Sequence, residues 1–238
     1  MYSTYVENSE KSNYRNKIDR FSSHSIIIQA LEKLSLSSKQ ILDIGCYRGD
    51  LLNRLREASK FSNGYSGADL TNNLDTKFED IDFIKCDLND KELDKVFKNK
   101  VFDVVILADI LEHLVDPWDA ILNLKKIIKS DSFIAISLPN SGHWFFRFKV
   151  LFGQIDYESN GLFDRTHLRF FTKKTAKELI LNKGYKISEL KYSSLPWENL
   201  FNSRLLTKTL SVIERSLIFI RPQFFAYQFI FIVSLRDL

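Results

Sequence analysis

The run Ile41-Leu42-Asp43-Ile44 breaks into Gly45-Cys46-Tyr47-Arg48-Gly49 and then into the helix-like Asp50-Leu51-Leu52. This succession restricts the fold more than any other part of the chain. A short apolar run reads as a strand, two closely spaced glycines as a tight turn, and the Asp50-Leu51-Leu52 stretch as the start of a helix. Glycine lets the backbone take a positive φ or approach a ligand closely, and the N–H groups of the first helical turn are available to an anionic or polar group. The turn therefore reads as one that cradles a nucleotide-like ligand.

The rest of the chain repeats the alternation. Strand-like runs fall at 40–44, 65–68, 83–86, 102–107 and 133–138, with helical segments between most of them, and two more lie near 185–192 and 227–233. Strands alternating with helices imply right-handed crossovers and a parallel sheet. Ahead of the first strand, Ile27, Ala30, Leu31 and Leu34 share one helical face and predict a helix over 23–36. Leu51, Leu52, Leu55 and Ala58 line the helix after the glycine turn. Asp116-Pro117 supplies an N-cap and a proline at the first helical position, ahead of a face of Ile121, Leu124, Ile127 and Ile128. Thr172 caps a helix with Ala176, Leu179 and Ile180 on its face, and Gly184 stands where such a helix would close.

A chain of 238 residues, 45% hydrophobic and 27% charged, fits one α/β domain with an appendage. The expected division is a polar arm over 1–22 and a single domain over 23–238. Two segments stand outside the repeating plan: an aromatic-rich insertion at 141–171 and an insertion at 196–223, which looks helical through Leu205, Leu206, Leu210, Ile213 and Leu217. The net charge of +4 arises from scattered residues, 34 Lys and Arg against 30 acids, so nucleic-acid binding is not indicated. Cys46 and Cys86 end strands and read as reduced, inert thiols. The N-terminus lacks an apolar signal-like core, and Arg221, Pro222 and Gln223 divide the apolar C-terminal runs below spanning length. A cytoplasmic location is the expectation.

Downstream of the turn, acids end the second and third strands at Asp69 and Asp87, and the fourth strand runs Phe102-Asp103-Val104-Val105-Ile106-Leu107-Ala108-Asp109-Ile110-Leu111-Glu112-His113. From about Gln40 to about Phe171 this series resembles the class I S-adenosylmethionine-dependent methyltransferases. The resemblance implies a Rossmann-like three-layer sandwich with seven strands in the order 3-2-1-4-5-7-6, the last two forming an antiparallel edge pair, and S-adenosylmethionine as cofactor. It places Asp43, Gly45, Cys46, Tyr47 and Gly49 at the methionyl end, with Tyr47 standing where the family most often has glycine. Asp69, followed by Leu70, takes the position that accepts both ribose hydroxyls. Cys86, Asp87 and Leu88 take the position at the adenine, and Ala108, Asp109 and His113 border the methyl donor. A nicotinamide-binding domain shares the glycine turn and an acid about 20 residues on. The Leu107 to Leu114 segment with Asp116-Pro117 separates the two classes in favour of the methyltransferase.

Methyl transfer from a sulfonium needs alignment and exclusion of water first, and a general base only for a hydroxyl or protonated amine. His113, His143 and His167 are the candidate bases. His167 lies in Gly161-Leu162-Phe163-Asp164-Arg165-Thr166-His167, a segment that resembles one in many small-molecule methyltransferases; Asp164, Arg165 and His167 could equally form a structural knot. His24 is expected at the surface or in the N-terminal helix. The histidines are dispersed along the chain, none at ligand spacing from a carboxylate or Cys, so no metal site is expected. Pro139-Asn140 follows the fifth strand, where it could shape the acceptor entrance. The expected reaction is methylation of a small-molecule hydroxyl on a metabolite, quinone-like ring or lipid-linked sugar, with a cofactor-binding regulatory subunit as the alternative. The aromatic insertion and apolar C-terminal helix leave two readings open: core packing, or an apolar acceptor pocket and docking face for a membrane or partner.

Overall fold

The computed structural model describes residues 20–34, 39–58, 64–74, 81–159, 161–197 and 201–236. Most of the expected N-terminal arm, residues 1–19, lies outside them. Among the described residues, β1 (Ile41–Ile44), β2 (Tyr65–Asp69), β3 (Ile81–Lys85), β4 (Phe102–Ala108), β5 (Ile128–Pro139), β6 (Tyr185–Ser193) and β7 (Gln228–Leu235) form one sheet in the order β3-β2-β1-β4-β5-β7-β6. The pairs through β5 are parallel, and β7 runs antiparallel to both β5 and β6. This is the Rossmann-like order expected for the family.

Helices α1 (Ser23–Leu31), α2 (Asp50–Ala58), α3 (Leu93–Val96), α4 (Pro117–Asn123), α5 (Trp144–Leu151), α6 (Lys173–Leu181), α7 (Arg204–Ile220) and α8 (Pro222–Phe225) complete the described elements. Side chains alternate faces along a strand, so the central strands must satisfy two cores. Val105 and Leu107 of β4 join Leu42 and Ile44 in a cluster with Ile121, Leu179 and Ile180 from α4 and α6. Val104 and Ile106 join Ile41 in the opposite cluster with Ile27, Leu31, Leu52 and Leu55 from α1 and α2. The three layers follow directly from that alternation.

Local helix signals are realised at named atoms. The Asp116 carboxylate accepts from the Asp119 N–H at 3.0 Å with Pro117 opening α4. Thr172 and Thr175 cap α6 reciprocally. Gly184 takes φ +80° just beyond that helix.

Two expectations need correction, and two open ones are decided. The predicted helix over 23–36 is helical over Ser23–Leu31, and residues 35–38 lie outside the described set. His24 lies in the N-terminal helix, the second of its two expected places, and is buried at 4% exposure because α1 packs against both the β6–β7 edge and α2. Ile128, read as part of a helical face, begins β5; α4 ends at Asn123 and a 3-10 turn over Leu124–Lys126 leads into the strand. Of the two readings left open for the C-terminal helix, its apolar residues follow the outward one. Thr207, Glu214 and Ile218 are its buried residues, whereas Leu205, Leu206 and Ile213 are exposed.

Candidate active site

The carboxyl ends of β1, β2, β3 and β4 lie side by side, in register at Asp43 with Gly67 and Ile106, Asp69 with Lys85, and Leu107 with Ile136. In an open parallel sheet a ligand binds outside these ends, where the order reverses between β1 and β4. Gly45 and Gly49 both take φ +80°, and a Cβ on Gly45 would lie 3.0 Å from Ile110 Cδ1. A side chain at Gly45 would crowd Ile110, and both positions have the positive φ that favours glycine. Behind it, a Cβ on Gly67 would sit 2.7 Å from Cys46 Sγ, so β2 must carry glycine there for the turn to pack against the sheet.

Tyr47 keeps the turn by adopting the left-handed region at φ 45°. That conformation costs an L-residue about 1–2 kcal/mol. Its N–H donates to Asp69 Oδ2 at 2.9 Å, and Leu70 N–H donates to Asp69 Oδ1 at 2.7 Å. A hydrogen bond to a carboxylate contributes about 1.5–3 kcal/mol, enough to hold the strained residue. Both Asp69 oxygens are thereby oriented, and each keeps a second lone pair able to accept from a hydroxyl. Leu70 beside it is 58% exposed, an apolar surface at the mouth of the cleft.

Asp87 accepts from Asn89 N–H and Asn89 Nδ2 through Oδ1, both at 2.9 Å, forming a turn at the exposed end of β3. Cys86 and Leu88 on either side are buried. Asp43 is 2% exposed and adds negative potential from beneath the turn. Burial, then Asp43 and Asp69, push the Cys46 thiol well above its ordinary range; burial, with Asp87 first among the acids, pushes Cys86 up to about 12. Neither is a thiolate near neutral pH, in keeping with inert free thiols.

Beyond β4 the chain turns sharply. Asp109 takes φ 58°, and its carboxylate accepts from Ser137 Oγ of β5 at 2.5 Å, Gln228 Nε2 of β7 at 2.9 Å and Ser23 Oγ of α1 at 3.4 Å. Three donors from three elements hold one strained residue at the strand end. Sequence reading named Asp109 and missed all three donors, which lie 28 to 119 residues away.

The 3-10 turn Leu111–His113 brings the second half of the site together. Glu112 is buried, and its backbone carbonyl accepts from Leu168 N–H at 2.8 Å and Arg169 N–H at 3.0 Å. His113 Nδ1 lies 3.2 Å from the Thr166 carbonyl and 3.0 Å from Thr166 Oγ1. Thr166 Oγ1 in turn donates to Asp164 Oδ1 at 2.6 Å. A carbonyl can only accept, so Nδ1 carries the ring proton and Nε2 is the basic nitrogen of His113. Asp164 thus meets Thr166 and, through it, His113, while His167 N–H donates to the Asp164 carbonyl at 3.0 Å. Thr166 is the member that sequence reading passed over.

His167 packs edge-on to His113, with ring centroids 4.8 Å apart, and its Nε2 lies 4.0 Å from Glu112 Oε1. Histidines dispersed in sequence are therefore not dispersed in space: ligand-type atoms of Glu112, His113 and His167 all lie within 4.8 Å of one another, contrary to the expectation that no histidine neighbours a carboxylate. Burial first and His113 second push His167 down to about 4. His143 is fully buried, caps α5 by accepting from Phe145 N–H through Nδ1 at 3.3 Å, and is likewise pushed down to about 4 by burial. Asn140, expected at an acceptor entrance, is 0% exposed; its Nδ2 donates to the Ala226 carbonyl at 2.7 Å and its Oδ1 accepts from Gly142 N–H at 2.9 Å. It fastens α8 to the end of β5.

The aromatic insertion divides. Phe163 and Phe171 are buried, and Phe146 stacks on Phe163 at 4.5 Å. Phe145, Phe148, Phe152, Tyr157 and Phe170 are exposed.

A glycine cradle that Cβ atoms would fill, an oriented ribose-type carboxylate and an apolar rim fit S-adenosylmethionine, and with the sheet order they define a class I S-adenosylmethionine-dependent methyltransferase. The chain belongs to the methyltransferase domain family, whose model matches residues 14–190. It is similar to a ubiquinone biosynthesis O-methyltransferase of Rickettsia typhi, 27% identical over 71% of this chain and 70% of that protein. In structure it is similar to a SAM-dependent methyltransferase of Archaeoglobus fulgidus, with a TM-score of 0.58 and 19% identity, covering 94% of this chain and 100% of that one. It is also similar to a methyltransferase of Thermotoga maritima described as a possible histamine N-methyltransferase, with a TM-score of 0.62 and 14% identity, covering 99% and 98%. A nicotinamide-dependent activity is set aside by the family match.

Proposed function

We propose that this methyltransferase acts on a hydroxyl of a small aromatic acceptor, a phenol or quinone-like ring, with His113 as the general base. The observation that carries the reading is the tautomer of His113, whose Nδ1–H is given to Thr166 and whose basic Nε2 is thereby defined. The similarity to a protein named as an O-methyltransferase of ubiquinone biosynthesis supports a hydroxyl on such a ring.

S-adenosylmethionine supplies an electrophilic methyl group on sulfur together with a good leaving group. Asp69, Leu70, Asp87 and Leu88 would hold its nucleoside, and Asp43, Gly45, Tyr47 and Gly49 its amino-acid end. What remains for the protein is to seat the acceptor and accept its proton at His113 Nε2. A phenol near pKa 10 reacts slowly until its proton is removed, and a positioned base contributes about 10²–10⁴ in rate. His167 suits the task less well. At about 4 it is a base more than two pH units weaker than an ordinary histidine, and its side chain is only 8% exposed.

The exposed rings Phe145, Phe148 and Phe170 provide apolar surface for an aromatic acceptor rather than for the polar ring of a lipid-linked sugar. Transfer of a labelled methyl group tests the reading. Phenolic and catechol-like acceptors should be methylated; transfer to amines alone would refute the assignment to oxygen. Cofactor binding without transfer to any acceptor class would favour the regulatory-subunit reading.

A further inference from the structure

The longest described helix has its hydrophobicity turned inside out. The side of α7 that packs on the protein carries Thr207, Glu214 and Ile218, while Leu205 is 79% exposed, Phe219 91% and Ile220 71%. At 100° per residue, Leu205, Leu206, Val212, Ile213, Phe219 and Ile220 fall within an arc of roughly 140° facing away from the domain. The hydroxyls that share this arc are satisfied within the helix: Thr209 Oγ1 donates to the Leu205 carbonyl at 2.9 Å and Ser216 Oγ to the Val212 carbonyl at 3.1 Å. Nothing on the arc needs water.

Charge is arranged with equal one-sidedness. Arg204, Lys208 and Arg215 line one edge of the arc, Arg215 lying over the Phe21 ring at 4.1 Å. The helix's single acid, Glu214, is buried on the opposite side, where it accepts from Trp197 Nε1 at 2.7 Å and from Leu195 N–H at 3.1 Å. No described helix is long and apolar enough to cross a membrane. An apolar face bordered by cations is instead the pattern of a helix lying in the plane of a bilayer surface.

We propose that α7 docks this methyltransferase on an anionic membrane surface, with Leu205, Val212, Phe219 and Ile220 among the acyl chains and Arg204, Lys208 and Arg215 at the headgroup phosphates. A second copy of the chain is the weaker partner, because a two-fold contact through α7 would bring the cationic edges together with no acid on the exposed side of either helix to pair them. Anionic lipid supplies that missing counter-charge. The surface continues past the helix end. The Arg147 guanidinium lies over the Phe224 ring of α8 at 5.4 Å, joining α7 through α8 to α5, where Phe148 and Leu151 are 52% and 75% exposed. An acceptor dissolved in the bilayer would then meet the enzyme at the membrane. The docking itself does not depend on the acceptor, and its test does not use one.

Sedimentation of the full chain with vesicles of phosphatidylcholine, alone or with phosphatidylglycerol, decides the matter. Binding is expected to the anionic vesicles, weakening as salt is raised, and falling roughly ten-fold or more in Val212→Asp/Phe219→Asp. Arg204→Glu/Lys208→Glu, at exposed positions without a packing role, should produce a comparable loss while leaving the circular dichroism spectrum and S-adenosylmethionine affinity at parental values. Absence of binding to the anionic vesicles would overturn the proposal, as would undiminished binding by both variants. A concentration-dependent dimer abolished by the same substitutions, without vesicle binding, would overturn it in favour of a second copy.

Discussion

The Gln228 side-chain amide donates to Asp109 Oδ1 at 2.9 Å, joining the start of β7 to the end of β4 across 119 residues. Ser137 Oγ reaches the same oxygen at 2.5 Å, and together they hold Asp109 at φ 58°. A non-glycine residue in that region persists only where its surroundings over-determine it. Gln228→Ala removes one of the two closer donors. The expected result is a loss of about 1–2 kcal/mol in stability, read by urea titration, and a several-fold fall in methyl transfer. Gln228→Glu, placing a second carboxylate against Asp109, should cost more than the alanine variant.

Tyr47 offsets the strain of its left-handed backbone with the hydrogen bond its N–H donates to Asp69, which any non-proline residue can make. Tyr47→Gly should therefore unfold within about 1 kcal/mol of the parent, strain relief offsetting the added freedom of the unfolded chain. Tyr47→Val, β-branched at positive φ, should lose about 1–2 kcal/mol. Equal stability for the two variants would show that the turn is not strained at this residue.

Asp69 accepts from the Tyr47 and Leu70 amides, and under the proposed function its remaining lone pairs would hold the ribose. By calorimetry, Asp69→Ala should weaken S-adenosylmethionine binding about ten-fold or more, while Asp87→Ala, which loses one carboxylate at an exposed turn, should weaken it less. Parental affinity in Asp69→Ala would refute the ribose assignment.

His113 and His167 are separable by kinetics. His113→Ala should lower kcat for a phenolic acceptor about 10²-fold, with the loss shrinking as pH approaches the acceptor's own pKa. His167→Asn should leave that pH profile in place. A profile unchanged in His113→Ala would remove it as base.

Acid and base act on this fold through different groups. His143 and His167 are both pushed down to about 4, so between pH 6.5 and 4 the unfolded chain binds more protons than the folded one. Their contribution is complete above pH 6.5 and lost as pH falls through 4, on the order of 1–3 kcal/mol for each. Glu214 runs the other way. Burial raises it to about 7, so the folded chain holds the extra proton between pH 4.5 and 7 and stability declines as pH rises across that window. The windows overlap, so urea titrations from pH 4 to 8 on the parent should show the net of the two, a rise in which the pair of histidines outweighs Glu214. His143→Asn, which keeps an N-cap, should flatten that rise, and Glu214→Gln should steepen it.

The strand alternation, the acids at the strand ends, the helix caps at Asp116 and Thr172 and the glycine turn are legible in the amino-acid order, because each depends on residues within a few positions of one another. The resemblance carried by those signals implied the sheet order and the cofactor class. The donors that hold Asp109, the tautomer that Thr166 imposes on His113, and the meeting of Glu112, His113 and His167 emerge with folding. Those contacts join residues far apart in the chain, and a serine or glutamine destined for them looks like any other. The orientation of α7 was hidden for a different reason. Periodicity finds an apolar face, but whether protein or another medium covers it is settled only when the helix packs through Thr207, Glu214 and Ile218 and leaves Phe219 outside.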